Sequence, residues 1–198
     1  MSLVIRERPI PPDTAAAVAS IYTYSFPARE RVPFETILDD VGAGQRTLWL
    51  SDDGSGFAIT KLLSTPERDV LLEYLAVDAP RRSIGIGAKL LRDVHTGVGR
   101  PLVFEVDDPA AFPSADSDRR IAFYERNGAA AIACKGYRAP DMTGEGAYSL
   151  LLFTLPGGYG TELTGARLRE LVRRIWVDSY ARDRTDPLLA QVLAGLTC

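Results

Sequence analysis

Residues 73–91 read EYLAVDAPRRSIGIGAKLL, and this stretch decides the fold. Its first part belongs to an apolar run that begins at Leu71 and ends before Pro80, which is typical of a strand buried on both faces. From Gly87 to Val98 the apolar residues recur at helical spacing instead. Between the strand-like run and the helical pattern lie two arginines, Arg81 and Arg82, and two glycines, Gly85 and Gly87. The stretch therefore predicts a strand, a short loop and a helix in direct succession.

A glycine-containing loop that opens a helix is suited to binding an anion. The first backbone N–H groups of a helix have no partner within it, and the helix dipole favours negative charge at that end. Gly85 and Gly87 carry no side chain that would keep a phosphate at a distance. Ala88 after Gly87 excludes a P-loop, and Leu90 stands where a dinucleotide fingerprint needs its third glycine. On these residues alone, the alternative to a phosphate-binding loop is an ordinary strand–loop–helix whose glycines allow close packing.

The composition is that of an ordinary globular protein of 198 residues, enough for one domain or for one domain plus an appendage. Hydrophobic residues make up 46%, charged residues 25%, and the net charge is −3, so a basic nucleic-acid-binding surface is not expected. No apolar run approaches the roughly 20 residues of a membrane span. Residues 1–8 lack the apolar core of a signal peptide. We expect a cytoplasmic protein without a nucleic-acid or membrane partner.

Cysteine and histidine are too scarce for several kinds of site. Cys134 and Cys198 make neither a disulfide framework nor a metal cluster. His95 is the single histidine and lies on the predicted helix, so triads and histidine-rich metal sites find little support. We therefore expect no metal and a reducing compartment.

The rest of the chain alternates between short strands and amphipathic helices. One helix is predicted to begin with Asp13 as its N-cap, one after Pro33, and one with Asp116 or Ser117 as its cap. Two more are predicted after Pro156. The other predicted strands are Leu3 to Arg8, Arg46 to Leu50, Gly56 to Leu63, Leu102 to Val106, Ala129 to Tyr137 and Tyr148 to Leu155, with a loop at 138–146.

A second motif, RIAFYERNGA at residues 120–129, resembles the block in which a helix of the GNAT superfamily ends in Phe/Leu-Tyr-Glu-x-x-Gly-Phe. The Arg-x-x-Gly-x-Gly loop at 82–87 is similar to the pyrophosphate loop of these acyl-CoA-dependent N-acyltransferases. The resemblance covers roughly residues 3–155. It implies a mixed α/β fold with a mainly antiparallel sheet of about seven strands flanked by helices. Residues 1–156 would form the acetyltransferase domain, and residues 157–198 a C-terminal helical extension.

The chain departs from the family pattern at several positions. Ser117 stands where many members have an asparagine that contacts the coenzyme, and we expect Ser117 to take that place. Ala129 stands where a phenylalanine is commoner, and the loop at 109–116 is longer than usual. These differences affect the expected specificity for the acceptor more than the expected binding of acyl-CoA.

The resemblance implies transfer of the acetyl group of acetyl-CoA to a primary amine of a small molecule or peptide, by direct attack in a ternary complex. Acetyl-CoA is the cosubstrate, and no metal is needed. The loop would hold the pyrophosphate, and the preceding strand would pair with the pantetheine arm. The expected coenzyme-binding residues are Leu75, Ala76, Val77, Arg81, Arg82, Ser83, Ile84, Gly85, Ile86, Gly87, Ser117 and Phe123.

The chemistry needs a base, because a lysine-like amine has a pKa of about 10. Glu73 and Glu105 are the candidates, since each lies inside an otherwise apolar strand where a lone carboxylate is costly. The alternative for each is a structural ion pair with an arginine. Tyr124 holds the position of the family's helix tyrosine, which gives the leaving thiolate a proton or a hydrogen bond. Its alternative is a half-buried aromatic residue with a solvated hydroxyl.

Two other functions stay open: an acyltransferase that uses a longer acyl-CoA, and a non-catalytic CoA-binding sensor or interaction module. The helical tail either packs on the domain or forms a homodimer contact. The acceptor site would be lined by some of Tyr22, Tyr24, Phe26, Trp49 and Tyr137.

Overall fold

The computed structural model describes residues 3–5, 9–144, 146–157, 163 and 165–197. In this part of the chain, eight mostly antiparallel strands and six α-helices form a mixed α/β fold. The strands are β1 (Leu3–Ile5), β2 (Arg46–Leu50), β3 (Gly56–Leu62), β4 (Val70–Val77), β5 (Leu102–Asp107), β6 (Ala130–Ala131), β7 (Arg138–Pro140) and β8 (Ala147–Leu155). The α-helices are α1 (Pro12–Ser25), α2 (Phe34–Gly42), α3 (Ile86–Val98), α4 (Ala115–Arg126), α5 (Gly165–Arg174) and α6 (Pro187–Gly195). The predicted fold class is confirmed, with eight strands in place of about seven.

The strand, loop and helix predicted from residues 73–91 are confirmed. β4 is followed by a 3₁₀ turn (Ala79–Arg81) and then by α3. α3 starts after Gly85, which has a φ of +90°, and its last turn is closed by Gly99 with a φ of +67°. The N–H of Gly99 donates to the carbonyl of His95 at 3.0 Å, as in a left-handed helix cap.

The chain divides into two compact units, the first of which comprises Met1–Leu62, Leu72–Arg100 and Met142–Gly144. In this unit β2 pairs antiparallel with β1 and β3, and β3 is hydrogen-bonded to β4. The core forms because α1 and α2 place apolar residues at helical spacing against the alternating residues of the strands. Its buried members are Ile5, Val18, Ile21, Tyr22, Val32, Ile37, Val41, Leu48, Leu50, Phe57, Ile59, Tyr74 and Ala76.

The second unit comprises Leu63–Leu71, Pro101–Asp141 and Glu145–Cys198. Its central strand, β8, pairs antiparallel with β5, β6 and β7. The register with β5 sets Glu105 opposite Leu152 and Phe104 opposite Phe153. The rings of Phe104 and Phe153 stack with centroids 5.9 Å apart in the core of this unit.

The C-terminal segment, residues 165–197, packs within the second unit. α5 continues as a π-helix (Ile175–Ser179) before α6. The indole N–H of Trp176 donates to the carbonyl of Arg138 at 3.1 Å, and the N–H of Ser64 donates to the Asp178 carboxylate at 2.7 Å. These two hydrogen bonds attach the C-terminal segment to β7 and to the residues after β3. The domain boundary expected at residue 156 stays a prediction.

Two predicted elements near the end of the sheet are wrong. The strand expected from Ala129 to Tyr137 is reduced to β6, because Gly136 adopts a φ of +83° and Lys135 forms its bridge with Thr197. The loop expected at 138–146 contains β7, which pairs with the first residues of β8. The first difference comes from pairing with a distant part of the chain, and the second from a local hairpin with β8.

Two predicted helix caps also differ. Ser114 caps α4, since its hydroxyl accepts from the N–H of Ser117, so neither Asp116 nor Ser117 is the cap. α1 is preceded by Pro11 without a side-chain cap, whereas Asp13 was the predicted N-cap. β1 covers Leu3–Ile5, and the rest of the strand expected up to Arg8 lies outside the described residues. Among the described helices, none has both the length and the apolar character required to cross a membrane.

Gly97→Ala is expected to destabilise the protein by about 1–3 kcal/mol, because overpacking forces a rigid neighbour to move. A Cβ at Gly97 would lie 2.6 Å from the ring of Trp49, whose indole N–H is held by Thr60 at 3.0 Å. Urea unfolding measures the change. Gly42→Ala is the control, since a Cβ there meets nothing within 4 Å. Equal stability of the two variants would show that α3 does not pack on Trp49 this closely.

Candidate active site

The loop before α3 exposes backbone donors at the start of the helix. Ser83 and Gly85 both adopt positive φ angles, +67° and +90°, and the loop is exposed. The first hydrogen bond of the helix runs from the N–H of Lys89 to the carbonyl of Gly85 at 3.0 Å. The N–H groups of residues 86–88 lie ahead of that bond and point out of the helix end. This end of α3 is therefore suited to hold a phosphate group.

The two arginines of the loop are engaged by the rest of the first unit. Arg81 forms an ion pair with Asp53 at 2.9 Å, and the two side chains are 53% and 38% exposed. Arg82 donates from Nε to the carbonyl of Val77 at 2.9 Å and from Nη2 to the hydroxyl of Ser25 at 3.3 Å. Arg82 thus fixes the loop to the end of β4, and Arg81 carries a charge at its surface.

Glu73 lies in a buried ion pair. Its side chain is 2% exposed and that of Arg46 is 1% exposed. The guanidinium of Arg46 donates to both carboxylate oxygens, at 2.6 Å and 2.9 Å, and also donates to Asp40. Lys61 reaches the same Asp40 at 3.2 Å. This geometry agrees with the structural alternative for Glu73, and its role as a base stays a prediction.

Glu105 is held by two tyrosine hydroxyls in the second unit. Tyr137 donates to Oε1, and Tyr180 donates to Oε2 at 2.7 Å. Burial raises the pKa of Tyr137 well above its ordinary value, and the negative charge of Glu105 raises it further. Tyr137 therefore remains a proton donor to the carboxylate at neutral pH. Tyr180 was not among the predicted site residues, because it lies in the tail beyond the family resemblance.

Tyr124 lies on α4 with its ring in an aromatic cluster. The residue is 8% exposed, and its ring centroid lies 4.5 Å from that of Phe104 and 5.1 Å from that of Phe123. Burial raises the pKa of Tyr124 to about 12. The hydroxyl is therefore protonated at neutral pH and available as a hydrogen-bond donor.

Ser117 faces inward at the start of α4. Its hydroxyl donates to the carbonyl of Phe112 at 3.0 Å and lies 2.8 Å from the hydroxyl of Ser114. These bonds fix the long loop before the helix. A coenzyme contact by Ser117 stays a prediction, as does the contact by the half-buried Phe123.

The aromatic residues predicted for an acceptor site have different environments. Tyr22 and Trp49 are core residues, while Tyr24 is 89% exposed. Tyr22 donates to the carbonyl of Val32 at 2.9 Å, and the N–H of Val32 donates to Tyr74 at 3.1 Å. The loop between α1 and α2 is thus held on both sides of Val32 by buried tyrosines.

No cluster of three or more side chains that suits a metal ion occurs within the described ranges.

Glu73→Gln is expected to lower the free energy of unfolding by about 3 kcal/mol, because it leaves a buried guanidinium with a weakened partner. Thermal and urea unfolding measure this loss. Asp116→Asn is the control, since its ion pair with Arg119 at 3.0 Å is almost fully exposed and such pairs contribute less than about 1 kcal/mol. Wild-type stability together with abolished acetyl transfer in Glu73→Gln would contradict the structural role.

Comparison with known proteins rests on structure. No known family profile and no curated protein matches this sequence. A protein from Bacteroides thetaiotaomicron assigned to the GNAT acetyltransferase family is 22% identical, with a TM-score of 0.72 over 89% of this chain and 98% of that chain. Naa50 from Arabidopsis thaliana, solved in complex with the bisubstrate analogue CoA-Ac-MVNAL, is 18% identical, with a TM-score of 0.54 over 77% and 97%.

A third similar structure is the ribosomal-protein-S18-alanine N-acetyltransferase from Escherichia coli. It is 20% identical, with a TM-score of 0.51 over 83% of this chain and 100% of that chain. At these identities the likeness is one of fold. The prediction made from the loop at 82–87 and the motif at 120–129 is confirmed at that level: the chain has the fold of the GNAT acetyltransferases.

Proposed function

We propose that this protein transfers the acetyl group of acetyl-CoA to a primary amine of a small molecule or peptide. The observation that carries the proposal is the exposed helix start at residues 83–88, which follows β4 and a 3₁₀ turn in a GNAT fold and whose backbone N–H groups suit a phosphate. The bisubstrate analogue bound to Naa50 joins CoA to a peptide, which supports both the donor and the kind of acceptor.

The coenzyme contacts come from β4 and from the start of α3. The pyrophosphate is bound by the N–H groups at the start of α3, with Arg81 adding positive charge. The pantetheine arm lies along β4 and pairs with the backbone at residues 75–77, where one N–H polarises the thioester carbonyl. No covalent enzyme intermediate is needed, because the amine attacks the thioester directly.

Glu105 and Tyr124 are the residues that handle the protons. As the amine nitrogen bonds to the thioester carbon, its proton moves to Glu105, and the carbon–sulfur bond breaks. The leaving thiolate then receives a hydrogen bond or a proton from Tyr124. Glu105 is favoured over Glu73 as the base because Arg46 binds both oxygens of Glu73, and protonation would break that buried ion pair.

Tyr124→Phe is expected to lower kcat about 100-fold while the Kd for acetyl-CoA stays within about twofold, since only a hydroxyl that acts on the thiolate is lost. Thiol release is measured with acetyl-CoA and a panel of polyamines, aminoglycosides, amino acids, lysine peptides and peptides with a free amino terminus. Calorimetric binding of acetyl-CoA shows that each variant retains its donor site.

The same assay separates the proposal from its rivals. Tight acetyl-CoA binding without turnover on any amine favours a CoA-binding sensor, and faster turnover with succinyl- or propionyl-CoA favours a longer acyl donor. Absence of acetyl-CoA binding by the wild-type protein would overturn the proposal.

Gly85→Ala is expected to weaken acetyl-CoA binding by about tenfold, because a φ of +90° is strained for alanine and the loop must rearrange. A Cβ at Gly85 meets nothing within 4 Å, so the effect comes from the backbone. Gly99→Ala is the matched control at the opposite end of α3, with a φ of +67° and open space around it. Equal Kd values for the two variants, measured by calorimetry, would show that the start of α3 does not hold the coenzyme.

A further inference from the structure

The carboxylate of Glu105 is held by one hydroxyl on each oxygen. Tyr137, from the connection between β6 and β7, binds Oε1, and Tyr180 binds Oε2 at 2.7 Å. Tyr180 stands 75 positions further along the chain than Glu105 and belongs to the C-terminal segment. Two donors on different oxygens fix the rotation of the carboxylate plane as well as its position.

The π-helix is the local feature that presents Tyr180. The backbone N–H of Tyr180 donates to the carbonyl of Ile175, five residues earlier, at 3.3 Å. In a continued α-helix, residues five apart lie about 140° apart around the axis, whereas this bond places Tyr180 above Ile175. Ile175 is fully buried, so Tyr180 turns toward the buried side of the segment. Such π turns occur often at functional sites.

The hydroxyl groups favour the ionised form of Glu105. Hydrogen bonds from a neutral donor to a carboxylate are charge-assisted, and they are stronger than bonds between neutral groups. A base must be ionised before it can accept the proton of the amine. It must also point one lone pair at that amine, because proton transfer requires a heavy-atom separation close to 3 Å. The two tyrosine hydroxyls favour the ionised carboxylate, and they limit the directions in which its lone pairs can point.

We propose that Tyr180 is a positioning residue for acetyl transfer, so that the C-terminal segment completes the active site. Together with Tyr137 it keeps Glu105 ionised and oriented to accept the proton that the amine loses as the nitrogen–carbon bond forms. Tyr180 acts through Glu105 and does not contact the reacting atoms. The inference rests on the proposed function and on Glu105 as its base.

The test is a double-mutant cycle in the full-length protein, with acetyl-CoA and the most active amine of the panel. Tyr180→Phe removes one hydroxyl and is expected to lower kcat about tenfold, with the KM for the amine and the Kd for acetyl-CoA within about twofold. In the Glu105→Gln background, the same change is expected to alter kcat by less than about twofold, because there is no carboxylate left to orient.

Val192→Ala is the matched control for loss of stability. Val192 is buried on α6, and shortening it lowers the melting temperature of the same C-terminal segment without removing a hydroxyl. We expect this variant to keep the wild-type kcat below its melting transition. A tenfold loss of kcat in Val192→Ala would show that destabilisation alone explains the effect of Tyr180→Phe and would overturn the inference.

The other outcomes separate the inference from the proposed function. A wild-type kcat in Tyr180→Phe overturns only the inference. The inference also fails if Tyr180→Phe lowers kcat by the same factor in the wild-type and Glu105→Gln backgrounds. Full activity of Glu105→Gln with a defect in Tyr124→Phe overturns the inference and leaves acetyl transfer standing. No turnover by the wild-type protein on any amine overturns both.

Discussion

A carboxylate inside an apolar strand must be paired or hydrogen-bonded, because an unsatisfied buried charge is too costly to keep. Glu73 and Glu105 both meet this constraint, in different ways. Arg46 gives Glu73 a full positive charge and two hydrogen bonds. Tyr137 and Tyr180 donate hydrogen bonds to Glu105 from hydroxyl groups that carry no charge. The first arrangement serves stability, and the second suits a group that gains and loses a proton.

The features that depend on neighbouring residues were predictable from the sequence. The change from strand to helical spacing around Gly85 placed β4 and α3, and the motif at 120–129 placed Tyr124 on the helix that became α4. The apolar neighbours of Glu73 and Glu105 marked both as carboxylates that need partners. Periodicity reports which residues share a face, and it carries no information on which distant side chain will meet them.

The features that depend on distant pairing were not predictable. Tyr180 belongs to a tail that the family resemblance does not cover, and a π turn leaves no mark in a pattern with helical spacing. The strand expected up to Tyr137 ends early, because Lys135 pairs with Thr197 near the other end of the same unit. Arg46 looked like the first residue of an ordinary strand, and its partners lie on α2 and β4. In each case tertiary contact decided the outcome.

The environment of Tyr124 also limits the role that the proposed reaction gives to its hydroxyl. Burial raises the pKa of Tyr124 to about 12, whereas an alkyl thiol has a pKa of about 8.5. Complete proton transfer from this hydroxyl to the thiolate would therefore be unfavourable by roughly 3 pKa units. A hydrogen bond that strengthens as charge develops on sulfur avoids this loss and still stabilises the transition state. In the proposed reaction Tyr124 is therefore a hydrogen-bond donor that keeps its own proton, and the proton that the amine loses goes to Glu105.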